Sequence, residues 1–397
     1  MLLIRELRHY TFWEVILALA FLFAMPMRVY LPTSFIIELV VVILLVIVPR
    51  RSVVEVRQDS MFGHLAFLLI LLALGILLGT TNPPFFSENY RYFTFFLFFT
   101  ALKISKVNYD NLLRLCFYCC VFCAVFFIYE LVYLNFLNRG AFYDIPIIGQ
   151  ATQSLFSDEE SNYLEPQWFA GIPYFRPVGF FIQPQKSGFI YVIGTICAYL
   201  IYRDKKDRRK LLFWFVFFTV VVIVSAAKTA VVSQLMILAI VAFNLYPRKR
   251  FTLKEIGRIF IVLIPFLLYV VSKLFEDDHV EESGIILGDL LSFFNYPFFN
   301  WIIGIGIPDE ADLVAHGFIC ECYFARLLAQ VGLLSFFLET FWGFSLIRSK
   351  SKKFNWILIA LLFGLFSHYC VINAYFMTFS LAVIICYAQS ISKQELE

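Results

Sequence analysis

The chain has 397 residues, of which 61% are hydrophobic and only 15% charged, and its mean hydropathy is +0.80. Soluble globular proteins average about 45–50% apolar and about 25% charged residues. No long stretch here returns to that balance, which excludes a soluble enzyme on a membrane anchor, a disordered chain, a coiled coil and a nucleic-acid binder. The apolar residues come in continuous blocks and not in alternation, which disfavours a β-barrel. The net charge of +3 matters less than where the charges fall. The composition predicts an all-α, polytopic transmembrane helical bundle, a single integral membrane domain over residues 1–397.

About 20 apolar residues cross a bilayer as a helix. That rule predicts spans over residues 10–26, 34–48, 62–79, 90–104, 112–137, 187–202, 211–225, 228–246, 259–275, 322–347, 354–369 and 373–390, about twelve in all. The first follows Arg5 and Arg8 as a signal peptide would, but no small-residue cleavage site comes after it, so it reads as an uncleaved helix. The stretches 211–246 and 354–390 each read as a helical hairpin or as one long tilted helix with a re-entrant piece. With the N-terminus in the cytoplasm, all but eight of the 32 lysines and arginines fall on every second loop, as the positive-inside bias requires. That alternation favours both hairpins, an even number of spans and two cytoplasmic termini.

Two outward (periplasmic) loops, 138–186 and 276–321, are far longer than the rest. Loops of that size are usually functional. Both carry acidic clusters (Asp158, Glu159 and Glu160; Glu276, Asp277, Asp278, Glu281 and Glu282). The stretch 285–303 reads as an amphipathic helix lying on or dipping into the outer leaflet. Nine cysteines give no disulfide framework. Cys116, Cys119, Cys120 and Cys123 share one apolar block, and Cys197, Cys370 and Cys386 lie in others, where soft core filler is a better reading than a metal cluster. Cys320 and Cys322 are too close in sequence to bridge each other well.

The eight outward cations are Arg28, Arg91, Arg139, Arg176, Lys186, Lys228, Lys273 and Arg326. Arg28, Arg91 and Lys273 read as snorkelling residues at helix ends. Lys228 sits at a hairpin tip, in SAAKTA. A lysine at membrane depth costs about 2.5–3.5 kcal/mol, tolerated where a partner or an anionic ligand exists. Arg326, just inside the helix after the second long loop, follows the same logic. Two readings stand. Each cation pairs with a carboxylate such as Glu130, Glu321 or Glu339, or Arg176, Lys186, Lys228 and Arg326 together hold an anionic lipid head. Arginine grips phosphate bidentately and lysine acts as a point charge.

Three motifs stand in order on the outward side. FRPVGFFIQPQKSG contains Arg176, Gln183, Gln185, Lys186 and Gly188; SAAKT runs from Ser225 to Thr229; HGFICECYFARLLAQVGLLSFFL contains His316, Glu321, Arg326, Gln330 and Gly332. Across about 170–345 the chain thereby resembles the Wzy-type O-antigen polymerases of the O-antigen polymerase and ligase superfamily. The N-terminal third matches only as generic membrane helices. Lys228 stands where an arginine is common, and Gly317 follows the histidine where ligase-like members often have asparagine.

The resemblance implies a glycosyltransferase of the bacterial inner membrane that joins undecaprenyl-pyrophosphate-linked oligosaccharide repeat units at the periplasmic face. Undecaprenyl pyrophosphate leaves. The family also implies a chain-length regulator as partner, alongside membrane lipid. No nucleotide sugar, metal or other cofactor and no nucleic acid is implied. Arg176, Lys228 and Arg326, with Lys186, are candidates for a cationic clamp on the pyrophosphate. His316 is a candidate base, or an orienting residue. Glu321 is a candidate base or the orienter of Arg326 or His316. Gln183 and Gln185 offer sugar hydrogen bonds or serve a turn. His368 reads as a helix-end histidine, and His9 and His64 take no role. The alternatives are a lipid-linked oligosaccharide flippase, an O-antigen ligase, and a peptidoglycan-type polymerase. A flippase predicts charges at the midplane, where only Glu14 and Glu38 stand out, and short loops.

Overall fold

The computed structural model describes residues 10–23, 40, 43–44, 48, 58–79, 83–137, 167–169, 172–180, 184–203, 207–244, 295–304, 332–334, 337, 343–367 and 375–391. They are mostly helical. In chain order they form α1 (Phe12–Phe23), α2 (Gln58–Gly79), α3 (Pro83–Ile104) and α4 (Tyr109–Val132), which continues as a π-helical turn over Tyr133–Leu137. After a hairpin of two three-residue strands, β1 (Gln167–Phe169) and β2 (Ile172–Tyr174), come α5 (Pro184–Tyr202), α6 (Arg208–Val224) and α7 (Lys228–Ala242). The remainder are α8 (Phe298–Ile303), α9 (Gly343–Ile347), α10 (Lys352–Ser367) and α11 (Tyr375–Ser390). Among the described residues one helix, Tyr109–Leu137, is long and apolar enough to cross a membrane, and Phe93–Ile104, Lys186–Tyr202, Thr229–Ala242 and Met377–Ser390 are shorter apolar helices. Within 211–246 the chain forms two helices, α6 and α7, broken by a turn at 225–227, and within 354–390 the described residues form α10 and α11. The expected spans 34–48 and 259–275 lie largely or wholly outside the described residues.

The chain divides into two compact units. The first comprises Met1–Arg50, Ser105–Gln234 and Ala374–Ser390. Its centre is α5, whose residues are buried from Lys186 to Leu200. A helix apolar all round belongs in an interior, and α4, α6 and α11 pack against it. Helices α4 and α6 run antiparallel to α5, whereas α11 runs parallel to it, Arg203 at the end of α5 lying over the ring of Tyr387 near the end of α11. Phe117, near the start of α4, meets Tyr202 at the end of α5 (5.8 Å between ring centroids) and Trp214 near the start of α6 (5.0 Å). At that end α1 opens with a capping box: Glu14 accepts the Thr11 N–H, and Thr11 Oγ1 accepts the Glu14 N–H. The same carboxylate accepts from the Asn108 N–H and Asn111 Nδ2, tying α1 to the start of α4. Glu14, one of the two acidic residues out of place in the sequence, is thus a buried fastener.

The second unit comprises Arg51–Ile104, Leu235–Asn373 and Ile391–Glu397. In it α2 and α3 pair side by side. His64 is buried against Phe99, with Lys103 Nζ 3.5 Å from its Nε2. Two departures from the sequence-based expectation fall here. The helix expected over 285–303 is not continuous. Residues 295–297 form a turn, Pro297 caps α8, and Gly304, at φ +88°, follows its last residue. Nor does a single helix run unbroken over 322–347. Gly332 has φ +73°, and its Cα lies so close to the Ile302 carbonyl and the Gly304 amide that any side chain would strike that backbone. A right-handed helix does not contain that φ.

Candidate functional site

The site is built around residues 175–180, which leave β2 and lead to α5. Phe175, Arg176, Val178, Gly179 and Phe180 are all anchored, Val178 and Gly179 through one carboxylate. Asn135, in the π-helical turn after α4, brackets Phe175: its Oδ1 accepts the Phe175 N–H (2.8 Å), and its Nδ2 donates to the Phe175 carbonyl (2.9 Å). Such turns recur at functional sites because they re-aim a side chain. Pro177 holds Arg176 out of the helical region. Arg176 Nε donates to the Ser225 carbonyl at 2.9 Å. The Val178 and Gly179 amides donate to the two oxygens of Glu130 (2.9 and 2.7 Å), while Ser187 Oγ donates to the Val178 carbonyl at 2.8 Å. Phe180 is buried edge-on to Phe23, Phe122 and Phe126.

The other wall is the turn between α6 and α7. Ser225 ends α6, Ala226 takes a left-handed φ of 52°, and Lys228 is the first residue of α7. Gly188 of α5 lets this turn come close: a Cβ there would stand 2.7 Å from Ala227 Cβ and 3.0 Å from Ala230 Cβ. The beginnings of α5 and α7 therefore lie together, and helix N-termini carry partial positive charge. Lys186, in the first turn of α5, is 6% exposed.

Arg176, Lys186 and Lys228 are thus brought to one end of the first unit, the end opposite Arg203, Arg208, Arg209 and Lys210. Gln185 lies in the first turn of α5, in the same place. Gln183, His316, Glu321 and Arg326 lie outside the described residues, as do His9 and His368. Glu130 does not act in the way expected of a counter-ion. Each of its oxygens accepts a bond from the backbone of the FRPVG segment. Arg176 Nε meets the last turn of α6, where a cation also favours the helix dipole. Sequence reasoning missed Glu130 and Asn135 as anchors. The available signal was a lone carboxylate and a lone amide near the C-terminal end of a very apolar helix.

Among the described residues, no group of His, Cys, Asp and Glu is placed to hold a metal ion. The described cysteines Cys116, Cys119, Cys120, Cys123, Cys197 and Cys386 are buried and unbridged. No protein-family model matches this chain, and no curated protein matches it significantly.

Proposed function

We propose that the protein is a polytopic inner-membrane polymerase of lipid-linked oligosaccharide repeat units, of the Wzy type, with about twelve spans, cytoplasmic termini and a periplasmic active site. The membrane reading is supported by what the helices expose. On α6, Leu212, Phe213, Val216, Val220 and Ile223 form an apolar stripe 47–64% exposed, while Phe215, Phe218, Val221 and Val222 face inward. On α4, Phe122, Val125, Tyr129 and Val132 do the same. A protein in water rarely leaves such stripes uncovered, and lipid covers them.

The observation that carries the enzymatic reading is the bond from Arg176 to the turn that launches Lys228. It joins two of the three motifs, 49 residues apart, at one end of a helix bundle, beside Lys186 and two helix N-termini. That arrangement suits a pyrophosphate head whose acyl tail lies in the bilayer. In the proposed reaction the clamp stabilises the departing undecaprenyl pyrophosphate. His316 or Glu321 takes the proton of the acceptor hydroxyl. Arg326 completes the clamp, Gln183 and Gln185 hold sugar hydroxyls, and a chain-length regulator sets when transfer stops.

The test is deletion followed by gel analysis of surface glycan, then complementation. Loss of long chains with one repeat unit retained is expected. Complete loss of attached glycan would instead indicate a ligase or flippase. Arg176→Ala, Lys228→Ala and Arg326→Ala are each expected to abolish polymer while the protein still inserts. Wild-type ladders from two or more of them would overturn the clamp.

A further inference from the structure

We propose that Glu130 is a positioning residue for Arg176: it grips the backbone two and three residues beyond the arginine and so sets where the guanidinium points. The inference takes only the identity of the bound anion from the reading above. Between residues 115 and 137 of the α4 segment, Glu130 is the sole charged residue. It is 0% exposed. A carboxylate in that position is costly unless hydrogen bonds compensate it, and its partners come from a segment 48 and 49 residues away.

The geometry explains how one side chain controls the other. Pro177 has no N–H to offer. The Val178 and Gly179 amides both donate to the carboxylate, forming a small concavity of N–H groups that suits an anion, and Gly179, at φ +73°, turns the chain just beyond it. Glu130 fills it. Upstream, Asn135 of the same helical segment fixes Phe175 through both its N–H and its carbonyl. The backbone is therefore fastened to α4 on both sides of Arg176, and Pro177 leaves the intervening residue little torsional freedom. With Nε committed to Ser225, the orientation of the rest of the guanidinium follows from those two anchors. Glu130 acts through Arg176 and not on the substrate.

The test uses full-length protein in detergent and the arginine reagent phenylglyoxal, with modification of each arginine followed by peptide mass spectrometry. Glu130→Gln keeps the shape but has one acceptor oxygen for two amides, and its NH2 group opposes the second. Modification of Arg176 in Glu130→Gln is expected to quicken about tenfold, the equivalent of one lost hydrogen bond to a charged group. Arg203, at the other end of α5, is expected to keep its wild-type rate. An unchanged Arg176 rate overturns the proposal. So does an equal rise at Arg203, which would mean general loosening. Inorganic pyrophosphate added to wild type tests the earlier reading separately. Its failure to protect Arg176 would count against the pyrophosphate clamp, while the Glu130→Gln rates would still decide the positioning role.

Discussion

At the scale of single residues, charge out of place was informative and charge in place was not. Arg176, Lys186 and Lys228 are conspicuous in the sequence because the expected topology puts them on the side that the positive-inside bias disfavours, and the structure gathers them at one end of a unit. Glu130 was visible as a lone carboxylate, but not its task. Nothing in a helical sequence announces that a side chain will meet the amides of a loop 48 residues on. Gly179 gives a sharper case. Its φ of +73° is a conformation that other residues hold only at a cost of about 1–3 kcal/mol, and a Cβ there would collide with Ser187. Gly179→Ala is therefore expected to destabilise the protein by at least about 2 kcal/mol, strain and overpacking together. On the proposed polymerase reading it should also remove polymer synthesis, because Ser187 and Glu130 lose their common grip on the loop. A lowered melting temperature in detergent checks the first effect and a glycan ladder the second. An unaltered ladder would show that the loop tolerates displacement.

At the scale of elements, hydropathy located the helices well. The expected spans 62–79, 90–104, 112–137 and 187–202 correspond to α2, α3, α4 and α5, which begin three to seven residues earlier, at Gln58, Pro83, Tyr109 and Pro184. Those extra turns escape a rule that counts apolar residues alone. The breaks were harder to read. Gly332 sits in an apolar run that looks continuous, and what interrupts it is a close approach by the backbone of Ile302 and Gly304 from another element. Pro297 and Gly304 did mark the ends of α8, yet apolarity on either side masked them. The hairpin β1–β2 was illegible because strands of three residues have no useful periodicity. How elements approach each other can still be tested from small residues. Gly188 lets α5 reach the α6–α7 turn with a prospective Cβ only 2.7 Å from Ala227 Cβ. Gly188→Leu should force these helices apart, at about 1–3 kcal/mol, and draw the Ser225 carbonyl away from Arg176. Gly188→Ala should give a milder form of both effects. A melting temperature and ladder indistinguishable from wild type in Gly188→Leu would mean the two helix N-termini need not be close for function.

At the scale of the whole molecule, the first unit has a polarity that fixes an expectation about the membrane. Helix α5, with 19 residues, rises about 28 Å, close to the roughly 30 Å of a hydrocarbon core. Its end carries Arg203, and α6 begins with Arg208, Arg209 and Lys210, Lys210 paired with Asp207 at 3.0 Å. At the other end stand Lys186, the turn at 225–227 and Lys228. Residues 203–210 carry six lysines and arginines, against Arg176, Lys186 and Lys228 at the other end, and that excess favours an orientation with the α5–α6 junction inside. Single cysteines at Lys205 and Ala226, in a cysteine-free background, report on this directly. A membrane-impermeant maleimide added to intact cells should label Ala226→Cys and leave Lys205→Cys untouched until the inner membrane is permeabilised. Ala226 is a fair reporter because it is partly exposed and its φ of 52° belongs to a turn, not to helix interior. Labelling of both from the same side would mean that α6 does not cross. Reversal of the two would place Arg176 and Lys228 in the cytoplasm, out of reach of a lipid-linked glycan on the outer face, and the polymerase reading would fall with them.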